Sequence, residues 1–122
     1  MHRCLVCIGS NYNREQNLFL ARKELTDLFP NIRFAPEQET SPLLLNNPAL
    51  FTNQVAIFFS DEEENVVKYK LKAIETMLGR CKGDKMKERI SLDIDLLSYD
   101  DRVLKPNDLA RDYIIRGIKD LK

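Results

Sequence analysis

Ile90-Ser91-Leu92-Asp93-Ile94-Asp95-Leu96 alternates apolar and polar side chains residue by residue. That period of two predicts a β-strand over 90–96. Ile90, Leu92, Ile94 and Leu96 would lie on one face, and Ser91, Asp93 and Asp95 on the other. The two aspartates then point the same way, about 6.5–7 Å apart along the chain. Carboxylates so placed repel each other, and a cation or water between them relieves the repulsion. Paired hard oxygen ligands suit magnesium, which completes its shell with water and phosphate oxygens. A solvated outer strand face is the plainer alternative, although aspartate is a poor strand former.

The segment before this strand carries Arg80, Lys82, Lys85, Lys87 and Arg89 against only Asp84 and Glu88. A basic loop feeding an acidic strand brings an anion site and a metal site together. Cations and metal neutralise a polyphosphate, and arginine can grip phosphate oxygens with two hydrogen bonds. Taken alone, the loop reads more readily as a solvated charged segment, and its place before the acidic strand is what favours the anion site.

Further upstream, Cys4-Leu-Val-Cys-Ile8 is a short, wholly apolar run followed by Gly9-Ser-Asn, which predicts a central strand ending in a turn. Asn13 to Gln16 has capping-box spacing, and Leu18, Ala21, Leu25 and Leu28 recur at helical intervals, so 13–29 is predicted helical. Ile32 to Ala35 is a short strand candidate. Residues 36–48, with Pro36, Pro42 and Pro48, read as a long loop, of a kind that is usually functional or disordered. Leu50 to Phe59 is the longest strand signal. Ser60 to Glu63 has the spacing of a second capping box, its acidic run suiting a helix N-terminus over 61–78 that Gly79 would end. Asp100-Asp101 is a turn. Pro106 opens a last helix with Leu109, Tyr113, Ile114 and Ile118 inward. The order predicts an α+β fold: a ferredoxin-like βαββαβ antiparallel sheet with helices on one face and an added C-terminal helix.

With 122 residues, one domain spanning 1–122 is expected. Lys plus Arg and Asp plus Glu are 19 each, giving no net charge, and a generic nucleic-acid binder should carry a positive excess. No apolar run approaches the ~20 residues needed to span a bilayer, and the start does not read as a signal peptide. Cys4, Cys7 and Cys81 cannot all pair, which predicts free thiols in a reducing, cytoplasmic setting. On a strand, Cys4 and Cys7 point to opposite faces, which argues against a redox pair. No P-loop and no Gly-x-Gly-x-x-Gly is present. His2 is the single histidine, so a Ser-His-Asp triad is not expected.

Five segments in order resemble hydroxymethyldihydropterin pyrophosphokinase, the folate-pathway enzyme family: Ile8-Gly9-Ser10-Asn11, Thr40-Ser-Pro-Leu43, Phe51-Thr-Asn53-Gln-Val55, Glu75-Thr-Met-Leu-Gly79-Arg80, and Leu92-Asp93-Ile-Asp95-Leu-Leu. The resemblance implies magnesium-dependent transfer of pyrophosphate from ATP to a reduced pterin's hydroxymethyl oxygen. It implies that Asp93 and Asp95 hold two magnesium ions bridging the ATP phosphates. Thr40, Ser41 and Leu43 would line the pterin pocket, Phe51 would stack on the ring, and Asn53 would bond its polar edge. Arg80, Lys82 and Lys87 would contact the nucleotide, Glu75 would fall near the adenine, Arg80 would also serve catalysis, and Arg89 would take the place of a catalytic arginine. The implied partners are ATP and a reduced pterin, with neither nucleic acid nor membrane.

The chain departs from the family pattern by having no tryptophan. Lys105-Pro106-Asn107-Asp108 stands where a proline-histidine segment is expected, and the closing wall is shortened, with Arg111 or Arg116 as substitute cations. The alternatives are therefore a shortened, catalytically impaired relative serving as a pterin- or nucleotide-binding module, and a plain ferredoxin-like interaction domain.

Overall fold

The apolar run Cys4 to Ile8 offers side chains to both faces of a strand, so both faces need covering. The computed structural model describes residues 1–40, 51–78 and 91–121. In it this run lies within β1 (His2–Ser10), which pairs antiparallel on both edges. The sheet also contains β2 (Arg33–Phe34), β3 (Gln38–Thr40), β4 (Phe51–Ser60), β5 (Asp93–Tyr99) and β6 (Arg102–Val103). Its order is β2-β4-β1-β5-β6, with β3 also paired to β4, and every pairing is antiparallel. Helix α1 (Arg14–Leu28) links β1 to β2, and α2 (Glu64–Met77) follows β4. This is the ferredoxin-like βαββαβ arrangement expected from the order of elements. Among the described residues, no helix is long and apolar enough to cross a membrane.

Alternation divides the sheet into two faces. Cys4, Val6 and Ile8 of β1, Ala56 and Phe58 of β4, and Ile94 and Leu96 of β5 pack under α1 and α2. Leu18, Ala21 and Leu25 come down from α1, and Val67, Leu71 and Ile74 from α2. Leu5, Cys7, Val55 and Leu97 face the other way and are covered by Ile114 and Leu121. The helices therefore do not all lie on one face. The C-terminal segment crosses to the second face as two helices, α3 (Pro106–Leu109) and α4 (Asp112–Asp120), rather than continuing as one. Gly117 permits this close docking, because a Cβ there would stand 2.5 Å from Cγ2 of Val55.

A bulge between Leu5 and Val6 in the β1–β5 pairing accounts for the pattern after Leu96. Val6 opposes Leu96 while Leu5 opposes Ser98, so Leu97 is the extra residue. The shift reverses the side-chain parity. Tyr99 thereby returns to the helix face, where its hydroxyl donates to the Glu62 carbonyl at 2.7 Å.

Several local expectations are corrected. The acidic strand begins at Asp93 and runs to Tyr99, rather than over 90–96. The segment expected as a loop over 36–48 contains β3, an edge strand of polar residues without the apolar alternation that marks a buried one. Asn13 does not form a capping box. It is left-handed, with φ of 46°, and makes no side-chain cap bond, while Asn17 Nδ2 closes the turn onto the Tyr12 carbonyl at 2.7 Å. Ser60 accepts from the Glu62 amide at 3.1 Å, closing a turn before α2, and the helix starts after an uncapped Glu63. The acidic run is taken up by ion pairs, Glu62 with Lys70 at 2.7 Å and Glu64 with Arg102 at 2.6 Å.

At the β5–β6 turn Asp100 has φ of 53°. Its carboxylate lies 2.7 Å from Nδ1 of His2 and accepts the Arg3 amide at 2.8 Å. The bond to His2, then the one from Arg3, hold this carboxyl below its ordinary value of 3.8.

Two outcomes follow. Because the Asp100 carboxyl is depressed in the folded chain, its stabilisation is present above its unfolded value and is lost as pH falls through the folded one. Asp100→Asn should flatten the acid limb of stability below about pH 4 in urea titrations, and an unchanged limb would refute this linkage. Gly117→Val should destabilise by about 1–3 kcal/mol through overpacking, and Val55→Ala in the same chain should recover part of that loss.

Candidate active site

Among the described residues, the second face of the sheet is not covered along its whole length. Where α3 and α4 stop short of the ends of β1, β4 and β5, a cavity of about 670 Å³ remains. Register determines which residues meet there. Gln38 opposes Asn53, Asn53 opposes Gly9, and Gly9 opposes Asp93, so one row crosses four strands. In the next row Val55 opposes Cys7, and Cys7 opposes Asp95. Thr40 opposes Phe51 at the β3 edge. Residues opposite one another in antiparallel strands share a face. Thr40, Phe51, Asn53, Asp93 and Asp95 accordingly all line the cavity.

Gly9 is the gap in the first row. A Cβ there would stand 3.0 Å from Oδ1 of Asn53, so the bare backbone leaves floor space between the amide and Asp93. Asn53 is itself buried, and its Nδ2 donates to Thr40 Oγ1 at 2.6 Å, which fixes the amide plane. Beside Gly9, Cys7 is a floor thiol. Burial first, then the Asp95 and Asp108 carboxylates, push its pKa up to about 12, which keeps it neutral. Cys4 lies in the opposite core, raised to about 11 chiefly by burial. The two thiols are on opposite sides of the sheet, as strand geometry predicts, and both are free.

Asp93 and Asp95 are each half-buried. Among the described residues, no cluster of three or more His, Cys, Asp or Glu is arranged to hold a metal. The donor set here, among the described residues, is therefore two carboxylates that line the cavity. That fits magnesium, which binds through one or two carboxylates and takes its other ligands from water and phosphate. It fits zinc poorly, since zinc asks for a closed set of nitrogen and sulfur donors.

Glu75 is not brought to this cavity. It lies on α2, on the opposite side of the sheet, only 5% exposed, and its Oε2 accepts the Ile94 amide at 2.6 Å. It ties α2 to the backbone between the two aspartates. Ser41, Leu43, Arg80, Lys82, Lys87 and Arg89 lie outside the described residues.

The C-terminal segment supplies a wall that sequence reading only sketched. Asp108, Arg111 and Tyr113 line the cavity, with Arg111 Nε 3.1 Å from Asp108 Oδ1. Burial pushes the Tyr113 phenol up, so it is a neutral donor. Tyr113 was expected to point inward, and its inward side turns out to be the cavity. Arg116 is not among the residues that line it, and its Nε donates to Gln38 Oε1 at 2.8 Å. The one signal for this wall is the apolar stripe through Leu109, Tyr113, Ile114 and Ile118, which does not reveal which face of the sheet it covers.

Gly9→Ala should push Asn53 from its seat, at a stability cost of about 1 kcal/mol readable in urea melts. A variant as stable as the parent, with an unshifted Asn53 amide resonance, would contradict the close approach.

The family model of 7,8-dihydro-6-hydroxymethylpterin-pyrophosphokinase (HPPK) aligns with residues 5–122. No curated protein matches the chain.

Proposed function

The chain belongs to the HPPK family, whose activity is pyrophosphoryl transfer from ATP in folate synthesis, and on that premise we propose that it transfers pyrophosphate from ATP to 6-hydroxymethyl-7,8-dihydropterin as a single domain over residues 1–122. The observation that carries the reading is the convergence of Asp93, Asp95, Asn53, Phe51 and Thr40 on one cavity from β3, β4 and β5.

The hydroxymethyl oxygen attacks the β-phosphorus of ATP. The bond from that phosphorus to the α–β bridging oxygen breaks, AMP leaves, and the hydroxyl proton passes to solvent. Such a transfer asks the protein mainly for alignment and charge stabilisation. Phe51 offers a flat surface for the ring, and Tyr113 a second aromatic on the same cavity. Asn53, locked by Thr40, presents an amide to the pterin's polar edge. Gly9 keeps the floor low enough for a planar ligand. Asp93 and Asp95 are the residues that would hold two magnesium ions. Bound there, the ions would neutralise the triphosphate and acidify the attacking hydroxyl. Cys7, neutral beneath Asp95, adds no charge to the floor.

The remaining roles rest on the family resemblance. Ser41 and Leu43 complete the pterin side. Arg80, Lys82, Lys87 and Arg89 meet the phosphates and exclude water. Glu75 belongs to the adenine side in the family pattern, and its bond to Ile94 gives it a supporting role behind the aspartates here. Free, buried thiols fit a reducing cytoplasm.

The lack of any tryptophan favours a second reading, a relative that binds pterin or nucleotide without turnover. Calorimetry with magnesium, an ATP analogue and a pterin, paired with an AMP assay, separates the two. Binding of both ligands with AMP formed supports the enzyme, and binding without AMP selects the module. Asp93→Asn and Asp95→Asn should each lower kcat by at least roughly 10²-fold, since each removes charge stabilisation where it develops. Unaltered turnover in both would remove the metal assignment.

A further inference from the structure

Gln38 touches none of the reacting groups, yet it joins the two walls of the cavity. It opposes Asn53 on the cavity face of the sheet. Its Nε2 donates to the Tyr113 carbonyl at 2.7 Å, and its Oε1 accepts from Arg116 Nε at 2.8 Å. Tyr113 and Arg116 are three apart, so both bonds seize the same side of α4. The rest of that helix is pinned further along, by Gly117 on Val55 and by Arg33 Nη2 on the Leu121 carbonyl at 3.0 Å. The first turn of α4, which carries Tyr113, is thus held to the sheet by the buried Ile114 beneath it and to the sheet edge by Gln38.

The structure assigns Gln38 as a positioning residue: its amide sets where Tyr113 stands relative to Phe51 and Asn53, and so tunes affinity for the pterin half of the site. This rests on the pyrophosphokinase reading and deepens it. The chemistry calls for an amide in particular. One end must donate to a carbonyl and the other accept from a guanidinium, which glutamine alone satisfies at this length. A carboxylate keeps the bond to Arg116 but sets an oxygen against the Tyr113 carbonyl. Asp93 and Asp95 stand on β5, across β1 and β4 from β3, so the phosphate half does not depend on the tie.

The test uses the full chain and the variants Gln38→Glu, Gln38→Met and Arg116→Met. Affinities for 6-hydroxymethylpterin, with magnesium and an ATP analogue present, and for the analogue alone are measured by calorimetry, with amide exchange of residues 112–120 in the free protein. Gln38→Glu and Gln38→Met should each weaken pterin binding roughly tenfold, raise its KM more than they lower kcat, and speed exchange in the first turn of α4. Analogue affinity should stay within about twofold. Arg116→Met, which leaves the Tyr113 bond intact, should show a smaller pterin effect. Gln38→Glu with parental pterin affinity, or equal weakening of both ligands in either Gln38 variant, would overturn the assignment while leaving the enzyme reading untouched. A parent protein that binds neither ligand overturns that reading and this assignment with it.

Discussion

β1 is paired along both edges and buried on both faces, and the placement of nearly every other group follows from that. Its nine residues are matched one to one with β4, from His2 against Ser60 to Ser10 against Thr52. Cys4, Val6 and Ile8 must reach the core under α1 and α2, so Cys7 and Gly9 are committed to the opposite side. A slip of one residue would exchange the two sets completely. It would bury Asn53 and Asp93 beneath helices and turn Phe58 and Ile94 into the cavity. Hydrophobic demand on one side of the sheet thus holds polar side chains in place on the other.

The cavity shows how that division serves chemistry. Its acidic strand is anchored from behind by apolar packing and by Glu75 on the Ile94 amide, so carboxylates that repel one another sit on a backbone that cannot yield. Its amide edge is fixed from the side by Thr40. Its floor is kept low by a glycine and uncharged by a buried thiol. Glu75 and the apolar packing act from behind the cavity, while Thr40, Gly9 and Cys7 shape it from within, which is how a small sheet keeps polar groups preorganised.

Much of this was legible in the residues. The alternation through Leu92, Asp93, Ile94, Asp95 and Leu96 put the aspartates on a common face opposite the core, and they lie there. The unbroken apolar stretch of β1 marked a central strand. The same stretch implied cover on both faces, but the sequence does not say which later segment provides it. Leu109, Tyr113 and Ile114 read as inward on a helix that could have packed on either side. β3 was hidden because Gln38, Glu39 and Thr40 form an edge strand, specified by backbone pairing with β4 rather than by hydrophobic pattern. The caps were misjudged because Asn13 and Ser60 fit a spacing rule equally well as turn residues, and the left-handed backbone at Asn13 decided against a cap. Roles that hang on residues 41–50 and 79–90 rest on family likeness alone.

The extra residue at Leu97 divides β5 into two stretches with independent phase. Upstream, the strand answers to the cavity that Asp93 and Asp95 line. Downstream, it answers to the N-terminal corner, where Tyr99 stacks on His2 and Asp100 turns the chain. A change of length at the β5–β6 corner can be absorbed at this joint without rotating the aspartates away from the pocket. The corner and the aspartate-bearing half of the strand are therefore decoupled in phase.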